Sequence, residues 1–365
     1  MNYVKIAHFV DRQYAFVKNM RNVITKSSYA KKRLKMIGGG YKGSEKEYRE
    51  TVLSYWRKYS QHPKKYWYQL LCNGEGKFDP RYIPDSMWYG KILPYFNNTV
   101  FRSAYSDKTL FDIYFRDLKR PVTLVKNTAG HYYDKDGEWI CREEAEDILV
   151  RAEGFIAKPA LNSGGGKGVL YIGPEEVTPE KVRDILDSYR ANFVVQALVK
   201  QHADLARIHA DSLNTVRVMS LHFKGKVHVL SAQLRMGAGE SHVDNISSGG
   251  VACVIVNEQG QLADRAVTRK SEWSDHHPSG IKFKDIVVPS YGKILETVRK
   301  AHKKVPYYNL IGWDFAVDEV GDPVFIEFNV GCEQNQIAGG PTFGDMTDEV
   351  LEDVFIKKTL KDAFC

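Results

Sequence analysis

The sequence predicts an α+β protein in which antiparallel sheets are covered by helices, with a mainly helical region at the amino-terminal end. Three hairpin patterns predict the sheets, since in each of them two strand-like runs flank a short turn. The paired runs are 215–223 with 227–235, 250–256 with 262–267, and 310–317 with 323–329. Helical spacing of apolar residues over residues 1–70 predicts the amino-terminal helices. Hairpins argue against a doubly wound parallel sheet.

The remaining elements follow from local patterns. Pro179 stands at the first turn of a predicted helix, where its missing N–H costs nothing. Gly38–Gly40 is expected to form a turn between two amino-terminal helices. The predicted helices are 45–59, 109–118, 179–189 and 291–303, and the further predicted strands are 122–126, 155–158, 169–172 and 193–196.

Composition excludes several classes of protein. The chain has 365 residues, enough for about two domains, and its 43% hydrophobic and 27% charged residues exclude collagen-like and largely disordered chains. No apolar run is long enough to cross a membrane, and we do not expect secretion, since charge stands where a signal peptide needs an apolar core. The 5 cysteines are widely spaced without a Cys-x-x-Cys motif, so we expect neither a disulfide framework nor a zinc ribbon, and we expect a reducing, cytoplasmic location.

Charge is distributed unevenly along the chain. Residues 1–70 hold 16 Lys and Arg against 4 Asp and Glu, so the remaining residues carry 36 basic against 41 acidic side chains. A role in nucleic-acid binding is therefore not expected, because the basic excess belongs to one end and no base-reading motif accompanies it. Three uses of the basic end remain open: a solvated helical face, a platform for an acidic glycan or nucleotide sugar, and contact with the anionic inner surface of a membrane.

The last hairpin carries three polar side chains with oxygen donors. Side chains alternate along a strand, so Glu327 and Asn329 are expected on one face together with Phe325, while Val324, Ile326 and Phe328 take the other. Asp314 on the partner strand can lie opposite them. Two carboxylates and an amide oxygen are ligands that Mg²⁺ prefers. The alternative is a polar sheet face in contact with solvent.

A second pattern lies between two predicted strands. One strand ends at Lys158-Pro159, and a loop with Gly164, Gly165, Gly166 and Lys167 leads to the next. Glycines allow backbone N–H groups to approach an anion closely, and the lysines add positive charge, so the loop is predicted to bind phosphate. It differs from a Walker loop because Gly168 follows Lys167. The alternative is a flexible linker.

The order of these patterns resembles the ATP-grasp superfamily over residues 100–340. Within it, the sequence is most similar to the sugar-transfer-associated ATP-grasp family, found among genes for bacterial surface polysaccharides. The residues that carry this narrower resemblance are Gln196, His202, Leu213–Arg217, Val243–Asn245, Gly249-Gly250 and Gly312–Asp314. The resemblance implies an ATP-grasp fold, in which two α+β lobes sandwich ATP. It divides the chain into a helical region 1–100, an initial part of the ATP-grasp unit 101–150, a flap lobe 151–200 and a carboxyl-terminal lobe 201–365.

The resemblance also implies how ATP would be held. Lys108 and Lys158 would contact the phosphates, and Lys167 would cover them from the loop formed by Gly164, Gly165 and Gly166. Gln196 takes the hinge position, where Glu is commoner, and the backbone at Leu198 would read adenine. Asp204 would hold the ribose, with Asp211 as the other acid nearby. Asp314, Glu327 and Asn329 would coordinate two Mg²⁺.

Further implied residues concern the reaction. Arg217 and Arg235 would neutralise the transferred phosphoryl group, with a structural pairing to a carboxylate as the alternative for each. Asn245 joins them as a catalytic candidate. His242, Ser248, Gly249 and Gly250 are the expected substrate residues.

The function implied by the resemblance is that of an ATP-dependent carboxylate–amine ligase, an ADP-forming enzyme that makes a C–N bond through an acyl phosphate. Its partners would be small carboxylates and amines, such as an amino acid joined to a sugar acid or a polysaccharide precursor. Two alternatives are a small-molecule kinase acting on a hydroxyl and an ATP-binding scaffold without turnover.

Overall fold

The computed structural model describes residues 3–98, 101–161, 163–242, 244, 249–267 and 272–360, without the side chains of 3–16, 18 and 19. The predicted Asn245 and Ser248 therefore lie outside the described residues. The strands are β1 Thr123–Thr128, β2 His131–Tyr133, β3 Trp139–Ile140, β4 Phe155–Pro159, β5 Leu170–Ile172, β6 Phe193–Ala197, β7 Thr215–Phe223, β8 Lys226–Met236, β9 Val251–Val254, β10 Ala266–Val267, β11 Trp273–Ser274, β12 Leu310–Val317 and β13 Pro323–Asn329.

The longer helices are α1 at the start of the chain, α9 and α10 beside the first sheet, and α12 beside the second. The helices are α1 Tyr3–Met36, α2 Glu45–Glu47, α3 Ser54–Arg57, α4 Lys65–Leu71, α5 Asp85–Met87, α6 Leu93–Phe96, α7 Arg102–Tyr105, α8 Phe111–Tyr114, α9 Arg142–Val150, α10 Pro179–Tyr189, α11 Ala203–Ala206, α12 Tyr291–His302, α13 Gln336–Gly339 and α14 Thr347–Glu352. Helix α10 begins where its sequence predicts, because the Thr178 side chain accepts a hydrogen bond from the backbone of Lys181 at its first turn.

Two local predictions are changed by the structure. The predicted helix 109–118 is shorter, since a 3₁₀ turn over Lys108–Leu110 leads directly into α8. The predicted hairpin 250–267 is reduced to a single bridge between Ile255 and Leu262, and β10 pairs with β11 instead. The predicted α+β class is confirmed, with helices covering antiparallel sheets.

Two antiparallel sheets face each other across a cleft. The first has six strands in the order β3-β2-β1-β6-β4-β5, and helices α9 and α10 pack on its outer face. It combines strands from both 101–150 and 151–200. The second has five strands in the order β13-β12-β7-β8-β9, with α12 on the face away from the cleft.

The cleft face of the five-stranded sheet is divided between two environments. Toward one end of β7, Arg217 reaches the cleft. Further along the same strand, Met219, Leu221 and Phe223 are buried under the amino-terminal helices, together with Leu310 of β12. Because side chains alternate with a period of two, these residues share the face of Arg217. The amino-terminal region therefore packs beside the cleft, on the same face of the sheet.

A β-bulge corrects the predicted orientation of one strand. Asp314 is paired with Glu327 but the next residue, Phe315, is paired with Phe325, so Ile326 is an extra residue in β13. The predicted placement of Phe325 beside Glu327 is wrong: its ring packs 4.7 Å from that of Phe115 on the opposite face. Ile326 lines the cleft instead.

Candidate active site

The cleft between the two sheets has a volume of about 570 Å³. One wall is built from the six-stranded sheet and its glycine loop, and the other from the five-stranded sheet and the segments that follow β6. Of the residues predicted for the site, those that line it are Lys108, Lys158, Gly165, Gly166, Gln196, Leu198, Arg217, Arg235, His242, Asp314, Glu327 and Asn329. The fold thus brings together predicted residues that are more than two hundred positions apart in the chain.

A row of charged side chains crosses three strands of the five-stranded sheet. Glu327 of β13 is paired with Asp314 of β12, which is paired in turn with Arg217 of β7. The Arg217 guanidinium binds both carboxylate oxygens of Asp314, with Nη2 2.7 Å from Oδ2 and Nε donating to Oδ1. Such a two-point pair fixes the orientation of both groups. The structural pairing considered for Arg217 is therefore present.

Arg235 joins the same network from β8. Its Nη1 lies 3.5 Å from Oδ2 of Asp314, and its Nη2 lies 3.1 Å from Oδ1 of Asp244. Asp244 also accepts a hydrogen bond from the Thr215 hydroxyl. Burial raises the pKa of Asp244, while Arg235 opposes that rise. Asp244 was not singled out from the sequence, although it stands in the Val243–Asn245 segment that carries the family resemblance.

Lys108 connects the glycine loop to the row of charges. Its Nζ donates to the Ser163 hydroxyl at 2.8 Å and lies 3.4 Å from Oε2 of Glu327. Burial on its own raises the pKa of Glu327, but Lys108, Lys158 and Arg217 together bring it below the ordinary value. Glu327 is therefore held as a carboxylate by three surrounding cations.

Lys158 is buried in β4 on the face that looks into the cleft. Burial lowers its pKa to about 8, and the positive charge of Lys108 acts in the same direction, whereas Glu327 opposes the shift. An ammonium with so little solvation gains much from an anionic ligand. Its role in binding phosphate stays a prediction.

The glycine loop connects β4 to β5. Gly164–Gly166 form a short turn, and Gly165 and Gly166 have φ values of 74° and 75°, which L-residues rarely adopt. Gly165 and Gly166 line the cleft. Lys167, by contrast, is exposed and is missing from the described residues that line it. The contact of Lys167 with phosphates stays a prediction.

The segment after β6 corrects one predicted residue. Gln196 and Leu198 line the cleft as predicted, but Asp204 does not. Its side chain is exposed at the first turn of α11, next to the ring of His202. Asp211, the other acid considered for the ribose, does line the cleft. Asp204 lies within α11, and the chain turns after this helix, so Asp211 lies in the cleft wall and Asp204 does not.

The predicted substrate residues are only partly in the cleft. The His242 ring is stacked on Tyr171 of β5, with centroids 4.4 Å apart, and its Nδ1 is 2.9 Å from the carbonyl oxygen of Asp211. This stack connects the two walls of the cleft. Gly249 is exposed, and Gly250 is buried where a Cβ would lie 2.6 Å from the carbonyl oxygen of Asp244. Neither glycine lines the cleft. The close approach of the Asp244 carbonyl explains why position 250 lacks a side chain.

The donor set in the cleft fits Mg²⁺. Asp314, Glu327 and Asn329 all line the cleft, and the amide Nδ2 of Asn329 is 3.4 Å from Oδ2 of Asp314. Among the described residues there is no cluster of three His, Cys, Asp or Glu arranged around a metal position. The set therefore consists of two carboxylates and one amide, which are hard oxygen ligands. Asp314 already accepts hydrogen bonds from Arg217, so a metal ion would use the remaining lone pairs of its carboxylate oxygens.

A smaller cavity of about 100 Å³ adjoins this donor set. Lys108, Ser163, Glu327 and Asn329 line both cavities and so form the wall between them. On its far side, the small cavity is lined by Arg102 of α7 and by the hydroxyl-bearing residues that follow it, Ser103 and Ser106. None of these three was predicted, because the sequence pattern in this segment is not distinctive.

In the described part of the chain, no helix has both the length and the apolar character needed to cross a membrane.

Comparison with solved structures gives distant similarities. L-amino acid ligase from Bacillus licheniformis is 14% identical, with a TM-score of 0.37 over 70% of this chain and 48% of that chain. D-alanyl-alanine synthetase A from Vibrio cholerae is 14% identical, with a TM-score of 0.40 over 71% and 66%. D-alanine–D-alanine ligase from Bacillus anthracis, solved with ATP, is 14% identical, with a TM-score of 0.42 over 73% and 69%. The chain thus spans about half the length of the first and about two thirds of the others. A search of curated proteins gives no significant match.

Comparison with protein families gives a match to sugar-transfer associated ATP-grasp over residues 97–350. That range covers well over half of the chain and includes both sheets, the glycine loop and every described residue of the charged row. The expected ATP-grasp fold is thereby confirmed. The chain belongs to the sugar-transfer associated ATP-grasp family.

Proposed function

We propose that the protein is an ATP-dependent carboxylate–amine ligase that forms an amide through an acyl phosphate and releases ADP. The observation that carries the proposal is the wall formed by Lys108, Ser163, Glu327 and Asn329 between the large cleft and the small cavity. A phosphate-binding cleft on one side and a cationic, hydroxyl-lined cavity on the other would place two anionic reactants against each other. Positioning and charge neutralisation are what phosphoryl transfer requires from a protein.

ATP is proposed to occupy the large cleft. The backbone of Gly165 and Gly166 and the ammonium groups of Lys108 and Lys158 would hold its phosphates. Adenine would lie against Leu198 and Gln196, and Asp211 would accept hydrogen bonds from the ribose hydroxyls. Asp204 would not contact the ribose, because it lies outside the cleft wall.

Asp314, Glu327 and Asn329 are the residues that would hold Mg²⁺. When bound, Mg²⁺ neutralises charge on the β- and γ-phosphates. We retain the expectation of two ions as part of the proposal.

The first step is proposed to be attack by a substrate carboxylate on the γ-phosphorus of ATP. An oxygen–phosphorus bond forms to the carboxylate as the bond to the ADP oxygen breaks, so the products are an acyl phosphate and ADP. Arg102 and Lys108 would hold the carboxylate, with Ser103 and Ser106 as hydrogen-bond donors. Arg217 and Arg235 would offset the negative charge of the transferred group.

In the second step an amine attacks the acyl carbon, and inorganic phosphate leaves. The amine loses one proton, which the departing phosphate can accept. The Tyr171–His242 stack would help to exclude water from the acyl phosphate, since water competes with the amine. Membership of a family associated with sugar transfer favours a sugar acid or an acidic polysaccharide precursor as one partner and an amino acid or other amine as the other.

Hydroxylamine trapping tests this proposal. The full-length protein is incubated with ATP, Mg²⁺ and hydroxylamine, together with a panel of amino acids, uronic acids and uronic-acid nucleotide sugars. We expect at least one acid to yield an acyl hydroxamate in an amount that matches the released ADP. Glu327→Gln should abolish both, whereas Glu319→Gln, in the exposed turn of the same hairpin, should not.

Two other results would contradict the proposal. Transfer of phosphate to an alcohol without any hydroxamate would identify a kinase. Binding of ATP without any turnover across the panel would identify a scaffold, the less favoured alternative because Lys108, Lys158 and Glu327 are all present in one network.

A further inference from the structure

Helix α1 presents an apolar stripe that no other described element covers. Val17, Met20 and Ile24 are 63%, 49% and 64% exposed. Their spacing of three and four residues places them on one side of the helix. In the sequence, apolar residues precede them at compatible spacings, with Phe16 four residues before Met20 and Val10 seven before Val17. The exposed residues therefore belong to a repeat of apolar residues at helical spacing and are not isolated apolar residues at the surface.

A different side of α1 anchors it to the protein. Ala30 is buried, and Leu34, together with Ile37 just after the helix, packs against the apolar core that the amino-terminal helices form. A Cβ at Gly90 would lie only 2.9 Å from Cγ2 of Val23, which shows how closely the helix approaches the following segment. The packed side already attaches the helix to the rest of the protein, so the exposed stripe is not needed to hold the helix in place.

The charge of α1 indicates what the stripe can meet. Residues 3–36 contain 9 Lys and Arg and a single acid, Asp11. Among the described basic residues, Arg21, Lys31, Lys32 and Lys35 are exposed. A helix that combines an exposed apolar stripe with a strong positive charge is typical of helices that lie in the interface of an anionic membrane.

We propose that α1 binds the surface of an anionic lipid bilayer, with Val17, Met20 and Ile24 entering the interface and the basic residues contacting the headgroups. This inference is independent of the ligase activity. A solvated basic face or a platform for an acidic glycan would use the charge but would leave the apolar stripe in water. A second copy of the chain would cover the stripe but would bring two strongly basic helices together.

Vesicle sedimentation tests the inference with the full-length protein. The probes are phosphatidylcholine vesicles with and without phosphatidylglycerol. We expect binding only to vesicles that contain phosphatidylglycerol, and Val17→Ser combined with Ile24→Ser should weaken it about tenfold or more without changing the net charge. Val320→Ser is the matched control, since Val320 is apolar and 72% exposed but lies in the β12–β13 turn. The double variant should keep the thermal midpoint of the wild type.

A variant with fewer lysines separates the electrostatic contribution to vesicle binding from the contribution of the apolar stripe. Lys31→Gln combined with Lys35→Gln should weaken binding and reduce its sensitivity to salt, because fewer charges face the headgroups. Three results would overturn the inference: no binding to either vesicle, binding that Val17→Ser with Ile24→Ser leaves intact, or a dimer in vesicle-free solution that the same substitutions dissociate. Equal binding to soluble polygalacturonate, unaffected by those substitutions, would assign the charge to an acidic polymer instead.

Discussion

The guanidinium of Arg217 binds both carboxylate oxygens of Asp314 on the neighbouring strand. The Asp314 side chain is only 3% exposed, and that of Arg217 is 21% exposed, toward the cleft. The residue expected to bind a metal ion is thus already paired with the residue expected to stabilise the transferred phosphoryl group. The two proposed roles are coupled through one ion pair, and a change in either residue must affect both.

This pair should show strong energetic coupling. We expect Arg217→Gln to lower the free energy of unfolding by about 3 kcal/mol, because the buried Asp314 loses its two-point partner and keeps only the longer contact with Arg235. The double variant with Asp314→Asn should cost clearly less than the sum of the two single variants. Urea denaturation of the four proteins measures the coupling. Additive costs would contradict it, and Lys46→Gln, which breaks an exposed pair with Glu50, serves as the control with little expected change.

ATP binding should depend on pH through Lys158. In the free protein its pKa is lowered to about 8, so the side chain is charged at pH 7 and mostly neutral at pH 9. Bound phosphates favour the charged form, so binding above pH 8 requires uptake of a proton. We expect the dissociation constant of ATP with Mg²⁺ to rise about tenfold from pH 7 to pH 9. Isothermal titration calorimetry in buffers of different ionisation enthalpy would measure both the affinity and the proton uptake.

Lys158→Arg is the control for that experiment, because arginine keeps its charge over the whole range. Its affinity for ATP should be nearly constant between pH 7 and pH 9. An equally flat profile for the wild type would show that Lys158 does not bind the phosphates.

The stack of Tyr171 on His242 should keep the cleavage of ATP coupled to the formation of product. An aromatic contact of this kind contributes about 1 kcal/mol, so Tyr171→Ala should increase the open fraction of the cleft about fivefold. We expect more ADP per hydroxamate, since water then reaches the acyl phosphate. His242→Ala should have the same effect, and the two substitutions together should add little. Unchanged ratios of ADP to hydroxamate in all three variants would remove the stack from the mechanism.

Arg102 should determine the affinity for the acid. Loss of one charge-assisted hydrogen bond in Arg102→Gln is expected to raise KM for the carboxylate roughly 10- to 100-fold. KM for ATP should change little, since Arg102 lines the small cavity and not the large cleft. Steady-state ADP release with the acid found by hydroxamate trapping measures both constants. Arg116→Gln, an exposed arginine outside both cavities, is the matched control. A rise in KM for ATP alone would place Arg102 in the nucleotide site.

The sequence predicted best what depends on neighbours along the chain. The β12–β13 hairpin has its predicted bounds, and the alternation of Glu327 and Asn329 follows from the period of a strand. The bulge at Ile326 could not be predicted in this way, since no residue type around it marks an inserted position in the strand. Because of this bulge, Phe325 lies on the face of the sheet opposite to the predicted one.

Contacts between distant segments account for the remaining differences. Whether Asp204 or Asp211 lies in the cleft wall depends on how the chain turns after α11, and the structure places Asp211 there. The Tyr171–His242 stack joins residues from opposite walls, and the contact of Arg235 with Asp244 is set by the loop that follows β8. Such contacts arise from tertiary structure, which the period of apolar residues does not encode.

The division of the five-stranded sheet face has a consequence for where the protein can be cut. The family match begins at residue 97, but Met219, Leu221, Phe223 and Leu310 are covered by helices that precede it. Asn97 itself donates to the carbonyl oxygens of Leu310 and Val330. A fragment that starts at the family boundary would therefore present an apolar strip next to the cleft between its two sheets. The segment that matches the family is therefore smaller than the segment that shares one apolar core. A chimera joined at that boundary should aggregate and should not be an active enzyme.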